Sequence, residues 1–97
     1  MQISIRYFTT LREITGKKEE KIFFQENQKI TVALTLKTLS DKYGKPFTDY
    51  TFDPKGQIKN FLQLLINGVS ITTSNDELEV TLQNGDTLAI LPPVGGG

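Results

Sequence analysis

The sequence has no cysteine and no histidine in its 97 residues. These absences remove disulfides, thiolate nucleophiles, zinc-finger spacings and any imidazole acid or base. An excess of one charge is missing too: 11 basic residues balance 11 acidic ones, giving zero formal net charge. Nothing builds the broad positive field that holds phosphate backbones, so nucleic acid is not an expected partner. Long apolar runs are also lacking. Pairs and triplets such as Leu64, Leu65 and Ile66 fall far short of the roughly 20 residues of a membrane span, and the first residues show no basic-then-apolar signal pattern. The expectation is a soluble cytoplasmic domain, with the compartment as a prior, since a cysteine-free chain suits an oxidising compartment equally well. The length fits one domain whose core recruits most of the apolar positions.

Residues 2–8 alternate, placing Ile3, Ile5 and Tyr7 on one face and Gln2, Ser4, Arg6 and Phe8 on the other, the period of a half-buried strand. In TTLREITG, Thr10 with Glu13 predicts a capping box, Leu11 and Ile14 share a face, and Gly16 suits a left-handed helix end. A charged loop over 17–20 then leads into a second strand over 21–26, antiparallel to the first. A helix is predicted from Thr31, with Val32, Leu36, Leu39 and Tyr43 in one stripe, Leu34 opposite it, Gly44 as the stop and Pro46 beyond. Residues 45–60 read as a loop whose Phe47, Tyr50 and Phe52 pack back over a core edge, with a turn at Asp53-Pro54-Lys55-Gly56. A strand over 61–66, the hairpin signal Asn67-Gly68 and a return over 69–72 open a meander. Residues 74–82 are ambiguous between a helical turn and an extended piece. Asn84-Gly85-Asp86 then turns into a last strand over 87–91, with Leu88 and Ile90 on the core side and Leu91 on the other.

This order of elements is that of an α+β, ubiquitin-like β-grasp: a mixed sheet of four to five strands over one main helix. Its first and last strands are parallel neighbours joined by a long crossover. The expected division is a folded domain over 1–91 and an extended, flexible tail over 92–97. Pro92 and Pro93 lack amide donors and stiffen the exit from the last strand. Gly95, Gly96 and Gly97 have no side chains and can thread a narrow channel in another protein. Glycine-rich ends are also common as frayed, solubilising termini, so the tail by itself has two readings.

The words Tyr7-Phe8-Thr9-Thr10-Leu11-Arg12-Glu13-Ile14-Thr15-Gly16 and Asn84-Gly85-Asp86-Thr87-Leu88-Ala89-Ile90-Leu91-Pro92-Pro93-Val94, with the glycine end, carry a resemblance. The chain resembles the MoaD/ThiS/ubiquitin-related family of β-grasp sulfur carriers, and within it the MoaD branch, small subunits of molybdopterin synthase. The middle is less alike, since residues 45–60 and 74–83 look longer than usual. The end departs as well, because such proteins typically finish in two glycines and this one has three.

The resemblance implies a non-catalytic carrier whose Gly97 carboxylate is adenylated and converted to a thiocarboxylate. It implies that Pro92, Pro93, Val94, Gly95 and Gly96 thread into partner active sites. An ordinary α-carboxyl titrates at about 3.3 to 3.7 and is an anion at neutral pH. The chain has no phosphate-binding G-x-x-x-x-G-K loop, so the resemblance leaves ATP and Mg²⁺ to an activating enzyme of the MoeB type, with sulfur supplied by a sulfurtransferase. The acceptor complex would be a MoaE-like large subunit of molybdopterin synthase. Phe8 and Leu91, both out of core parity, would form an apolar patch for these partners beside the tail. Arg6 shares that face, either paired with an acidic partner or simply solvated. Two further readings stay open: a ubiquitin-like modifier joined through Gly97 to lysines of target proteins, and an interaction module whose tail is irrelevant.

Overall fold

The computed structural model describes residues 1–71 and 79–92. Its elements run β1 (Gln2–Tyr7), α1 (Thr10–Thr15), β2 (Glu19–Phe23), α2 (Val32–Tyr43), α3 (Lys45–Thr51), β3 (Gln63–Ile66), β4 (Val69–Ile71) and β5 (Thr87–Leu91). They form a mixed five-stranded sheet in the order β2-β1-β5-β3-β4. β1 and β5 are parallel at the centre, in the register Ile5 with Leu88 and Tyr7 with Ile90. All other pairings are antiparallel. This is the β-grasp arrangement expected from the sequence.

The period-two pattern sets the inner face. Ile3, Ile5 and Tyr7 from β1 are fully buried with Leu64, Leu88 and Ile90, and the α2 stripe of Val32, Leu36 and Leu39 closes over them. Thr31 caps α2 through its hydroxyl, which accepts the Leu34 amide at 3.0 Å. At the hairpin, Asn67 and Gly68 both have positive φ, 52° and 84°. That is the backbone a two-residue turn needs to match strand twist, which is why Asn-Gly signals it so well. The Asn67 side chain also accepts the Thr87 amide at 3.0 Å and donates to Asp86 at 2.9 Å, tying this hairpin to the start of β5.

Several expectations are corrected. The predicted loop over 45–60 contains a helix, α3, because Pro46 occupies its first turn, where a missing amide costs nothing. Phe47, predicted to pack back over the core, is fully buried and stacks on Tyr43 at 6.1 Å. Leu34 is half-buried against the core instead of facing solvent. The capping box does not form. Thr10 already lies inside α1, and the carbonyls of Phe8 and Thr9 take the first helical amides at 3.1 and 3.0 Å. Gly16 ends α1 in the left-handed region at φ 75°, as expected. The third strand begins at Gln63, after a turn in which Lys59 O accepts the Leu62 amide. Residues 80–82 are extended: Val80 O accepts the Val32 amide and Leu82 N donates to Ile30 O at 2.7 Å. The rest of the ambiguous 74–82 stretch, and the expected last residue of the returning strand, lie outside the described residues.

β2 starts two residues earlier than predicted and ends at Phe23, because Glu20 is drawn inward. Its carboxylate, nearly buried between β1 and α2, accepts hydrogen bonds from Tyr7 Oη at 2.6 Å, Lys42 Nζ at 2.6 Å and Tyr43 Oη. Burial acts to raise the pKa of Glu20, but the donors Lys42, Tyr43 and Tyr7 outweigh it and hold the carboxyl at about 2. Burial first, and then the Glu20 hydrogen bond, push the Tyr7 hydroxyl upward. A carboxyl titrating below its ordinary 4.5 gives stability that is complete above that value and is lost as pH falls toward about 2. Replacing it, Glu20→Gln, is expected to cost roughly 3 kcal/mol near neutral pH and to flatten the acid limb of the stability curve, read by urea unfolding across pH. An unchanged acid limb would mean the clasp contributes nothing.

Candidate functional site

The helices cover one face of the sheet and leave the other open. Alternation along β1 turns Arg6 to the open side, and Phe8 follows just past the strand end, half-buried. Parallel pairing sets Arg6 beside Ala89 and Tyr7 beside Ile90, so Phe8 and Leu91 leave their strands as neighbours. Leu91 also pairs with Gln63, and Ala89 with Leu65, on β3. Phe8, Leu91, Ala89 and Leu65 therefore form a short apolar strip across three strands, and the chain leaves the sheet from its end at Leu91 and Pro92.

Two cations edge this strip. The Arg6 guanidinium lies 5.6 Å from the centre of the Phe8 ring and that of Arg12 lies 5.2 Å from it, both within cation–π range. Arg12 is held there by its Nε, which donates to Tyr7 O at 2.9 Å. Arg6 also approaches Glu19 at 4.0 Å, both side chains being half-exposed, a pair that contributes little in water. Thr9, between Phe8 and α1, takes φ 46°, rare for a β-branched residue. That conformation turns the chain from strand into helix and brings Arg12 back under Phe8.

Of the residues proposed from sequence, the structure brings Arg6, Phe8 and Leu91 together, with Pro92 directly after Leu91. Pro93, Val94, Gly95, Gly96 and Gly97, and with them the proposed reactive carboxylate and threading segment, lie outside the described residues. Sequence reasoning missed Arg12, Ala89 and Leu65 as members of this face. Assigning parity within the Leu64-Leu65-Ile66 triplet would have found Leu65, since its neighbour Leu64 is fully buried. Arg12 gave only the weaker signal of lying four residues after Phe8 across a helical turn.

Comparison with known proteins agrees with this architecture. The ThiS family model matches residues 5–97. The chain belongs to the ThiS family. Within the ThiS family, it is 30% identical over 101 residues to Small archaeal modifier protein 3 of Haloferax volcanii, covering all of both chains. Its fold matches SAMP1 of Haloferax volcanii with TM-score 0.82 at 24% identity, again over all of both chains. It also matches a putative molybdopterin converting factor, subunit 1, from Pyrococcus furiosus with TM-score 0.71 at 20% identity, over 96% of this chain and 98% of that one. Both solved structures share the fold of this chain. Among the described residues of this ThiS-family chain, no helix is long and apolar enough to cross a membrane.

The cation–π pairing is testable alone. A double-mutant cycle of Phe8→Ala and Arg12→Ala, read by chemical unfolding, is expected to give a coupling of about 0.5 to 1 kcal/mol. Additive effects would mean that Arg12 does not engage the ring in solution.

Proposed function

We propose that this chain is a sulfur carrier whose terminal carboxylate, on Gly97, is the reacting group. The observation that carries this reading is the parallel pairing of β1 with β5 in a ThiS-family member. That pairing starts the Pro-Pro-Val-Gly-Gly-Gly tail from the edge of a half-buried apolar strip. A partner that seats Phe8, Leu91 and Leu65 receives the tail at a fixed origin. Pro92 and Pro93 then extend it, and Val94, Gly95 and Gly96 let it pass a narrow channel. Arg6 and Arg12 would face acidic groups of that partner.

The proposed chemistry uses the partner's nucleotide site. A carboxylate oxygen of Gly97 attacks the α-phosphorus of ATP, pyrophosphate leaves, and an acyl-adenylate forms. Hydrosulfide, or its equivalent from a sulfurtransferase, then attacks the carbonyl carbon and expels AMP, leaving a thiocarboxylate and releasing a proton. ATP and Mg²⁺ belong to an activating enzyme of the MoeB type, and this chain acts as carrier and non-catalytic subunit. The sulfur would pass to a pterin precursor within a MoaE-like large subunit of molybdopterin synthase, in the cytoplasm. The full-length similarity to Small archaeal modifier protein 3 supports a second reading. In it the same adenylate is attacked by a lysine amine of a target protein, with AMP leaving and an isopeptide bond forming.

Incubating the purified chain with an activating enzyme, ATP and a sulfur donor, and then measuring intact mass, tests the first reading. The expected product is heavier by the exchange of one oxygen for one sulfur. Removal of Gly96 and Gly97 is expected to abolish it, and Gly96→Ala to reduce it strongly without loss of fold stability. Conjugates to lysine in cell extract, lost in the same truncation, would favour the modifier. An unmodified chain in both assays would overturn the role of the terminal carboxylate.

A further inference from the structure

On the helix-covered side of the molecule, away from the open sheet face, α2, α3 and the Asp53–Gly56 turn enclose a groove of about 660 Å³. That is the size of a pocket that takes an extended side chain or a few residues of a peptide. Ala33, Phe52 and Pro54 supply its accessible apolar lining, over the buried Leu36. Lys37, Ser40, Thr48, Asp53 and Glu79 supply its polar groups. Ser40 lines the groove, and its hydroxyl oxygen is buried without a hydrogen-bond partner, an arrangement that a folded chain tolerates at a cost. Asp53 and Glu79 bring two carboxylates to the groove against the single ammonium of Lys37. Among the described residues, neither carboxylate has a lysine or arginine within salt-bridge distance. Asp53 uses Oδ1 to accept the Lys55 and Gln57 amides at 2.9 and 3.0 Å, which fixes its carboxylate in place.

An apolar floor beside an excess of carboxylate matches one kind of side chain. Lysine and arginine bury their methylene stems on apolar surface while their charged heads seek carboxylates. From this juxtaposition we propose that the groove is a docking site for a partner polypeptide presenting an arginine or lysine between apolar residues. The stem lies on Ala33 and Phe52, and the cationic head meets Asp53 and Glu79. Because α2 and α3 cover the sheet face opposite to the one that Phe8 and Leu91 share, a partner held here would leave that open face free. This proposal does not depend on the chemistry of the tail.

Titrating the ¹⁵N-labelled full chain with the capped peptide acetyl-Ala-Leu-Arg-Leu-Ala-amide tests it, with acetyl-Ala-Leu-Glu-Leu-Ala-amide and argininamide as comparisons. The expected result is that the arginine peptide shifts the amides of Lys37, Ser40, Phe52 and Gly56, with affinity falling as salt rises. Neither the glutamate peptide nor argininamide should do so at the same concentration. Glu79→Lys and Asp53→Asn should each weaken the arginine peptide by about tenfold, and neither should alter unfolding by urea enough to account for that loss. Equal shifts with argininamide would overturn the polypeptide assignment in favour of a small-cation site. Shifts confined to the Phe8 face, no shifts, or unchanged affinity in Glu79→Lys would overturn the groove as a site.

Discussion

The parallel pairing of β1 and β5 is the constraint on which the arrangement rests. A parallel pair cannot be closed by a tight turn, so nearly the whole chain has to form the crossover between them. That crossover carries α1, β2, α2 and α3 before the β3–β4 hairpin delivers the chain to β5. The register then places Tyr7 beside Ile90, so the end of the first strand and the end of the last point the same way. A residue just past β1 and the origin of the tail are neighbours because of topology, with no local sequence signal needed. An antiparallel β5 would have turned Leu91 toward the opposite end of β1, away from Phe8.

The Glu20 clasp secures the same end of the sheet from inside. Its carboxylate joins β2, β1 through Tyr7, and the last turn of α2 through Lys42 and Tyr43. A buried charge is tolerated only where donors surround it, and here three donors do so. The strongest perturbations of ionisation among the described residues therefore have a structural cause. Perturbed groups often mark reactive centres, but Glu20 is held down and Tyr7 is held up by the contacts that anchor helix to sheet. Neither has to be assigned a proton-transfer role to explain its environment.

How much of this was legible depended on whether a signal was periodic or tertiary. The alternation of Ile3, Ile5 and Tyr7, the stripe from Val32 to Tyr43, and Asn67-Gly68 are local patterns, and each yields the element it predicts. Pro46 misled because proline is compatible with both the end of one helix and the start of the next, and Gly44 separates two helices here. Glu20 looked like one charge among four in a loop, since a burial site built by Tyr7, Lys42 and Tyr43 is invisible until the fold brings residues 7, 20, 42 and 43 together. On the candidate site, parity revealed Phe8 and Leu91. Arg12 enters that site only through the backward turn at Thr9, whose positive φ no propensity of threonine announces.

The two faces of the molecule differ in their chemistry. The open sheet face is apolar at its centre and cationic at its edge, through Arg6 and Arg12, whereas the groove behind α2 is apolar with an excess of carboxylate. A chain of zero net charge can therefore present opposite signs in opposite directions. Charge complementarity governs which surfaces meet and how fast, more than how tightly they hold, so the two faces favour partners of different charge. Such polarity favours one orientation of a small domain toward a charged surface, because the other face is electrostatically less favourable before any apolar contact forms.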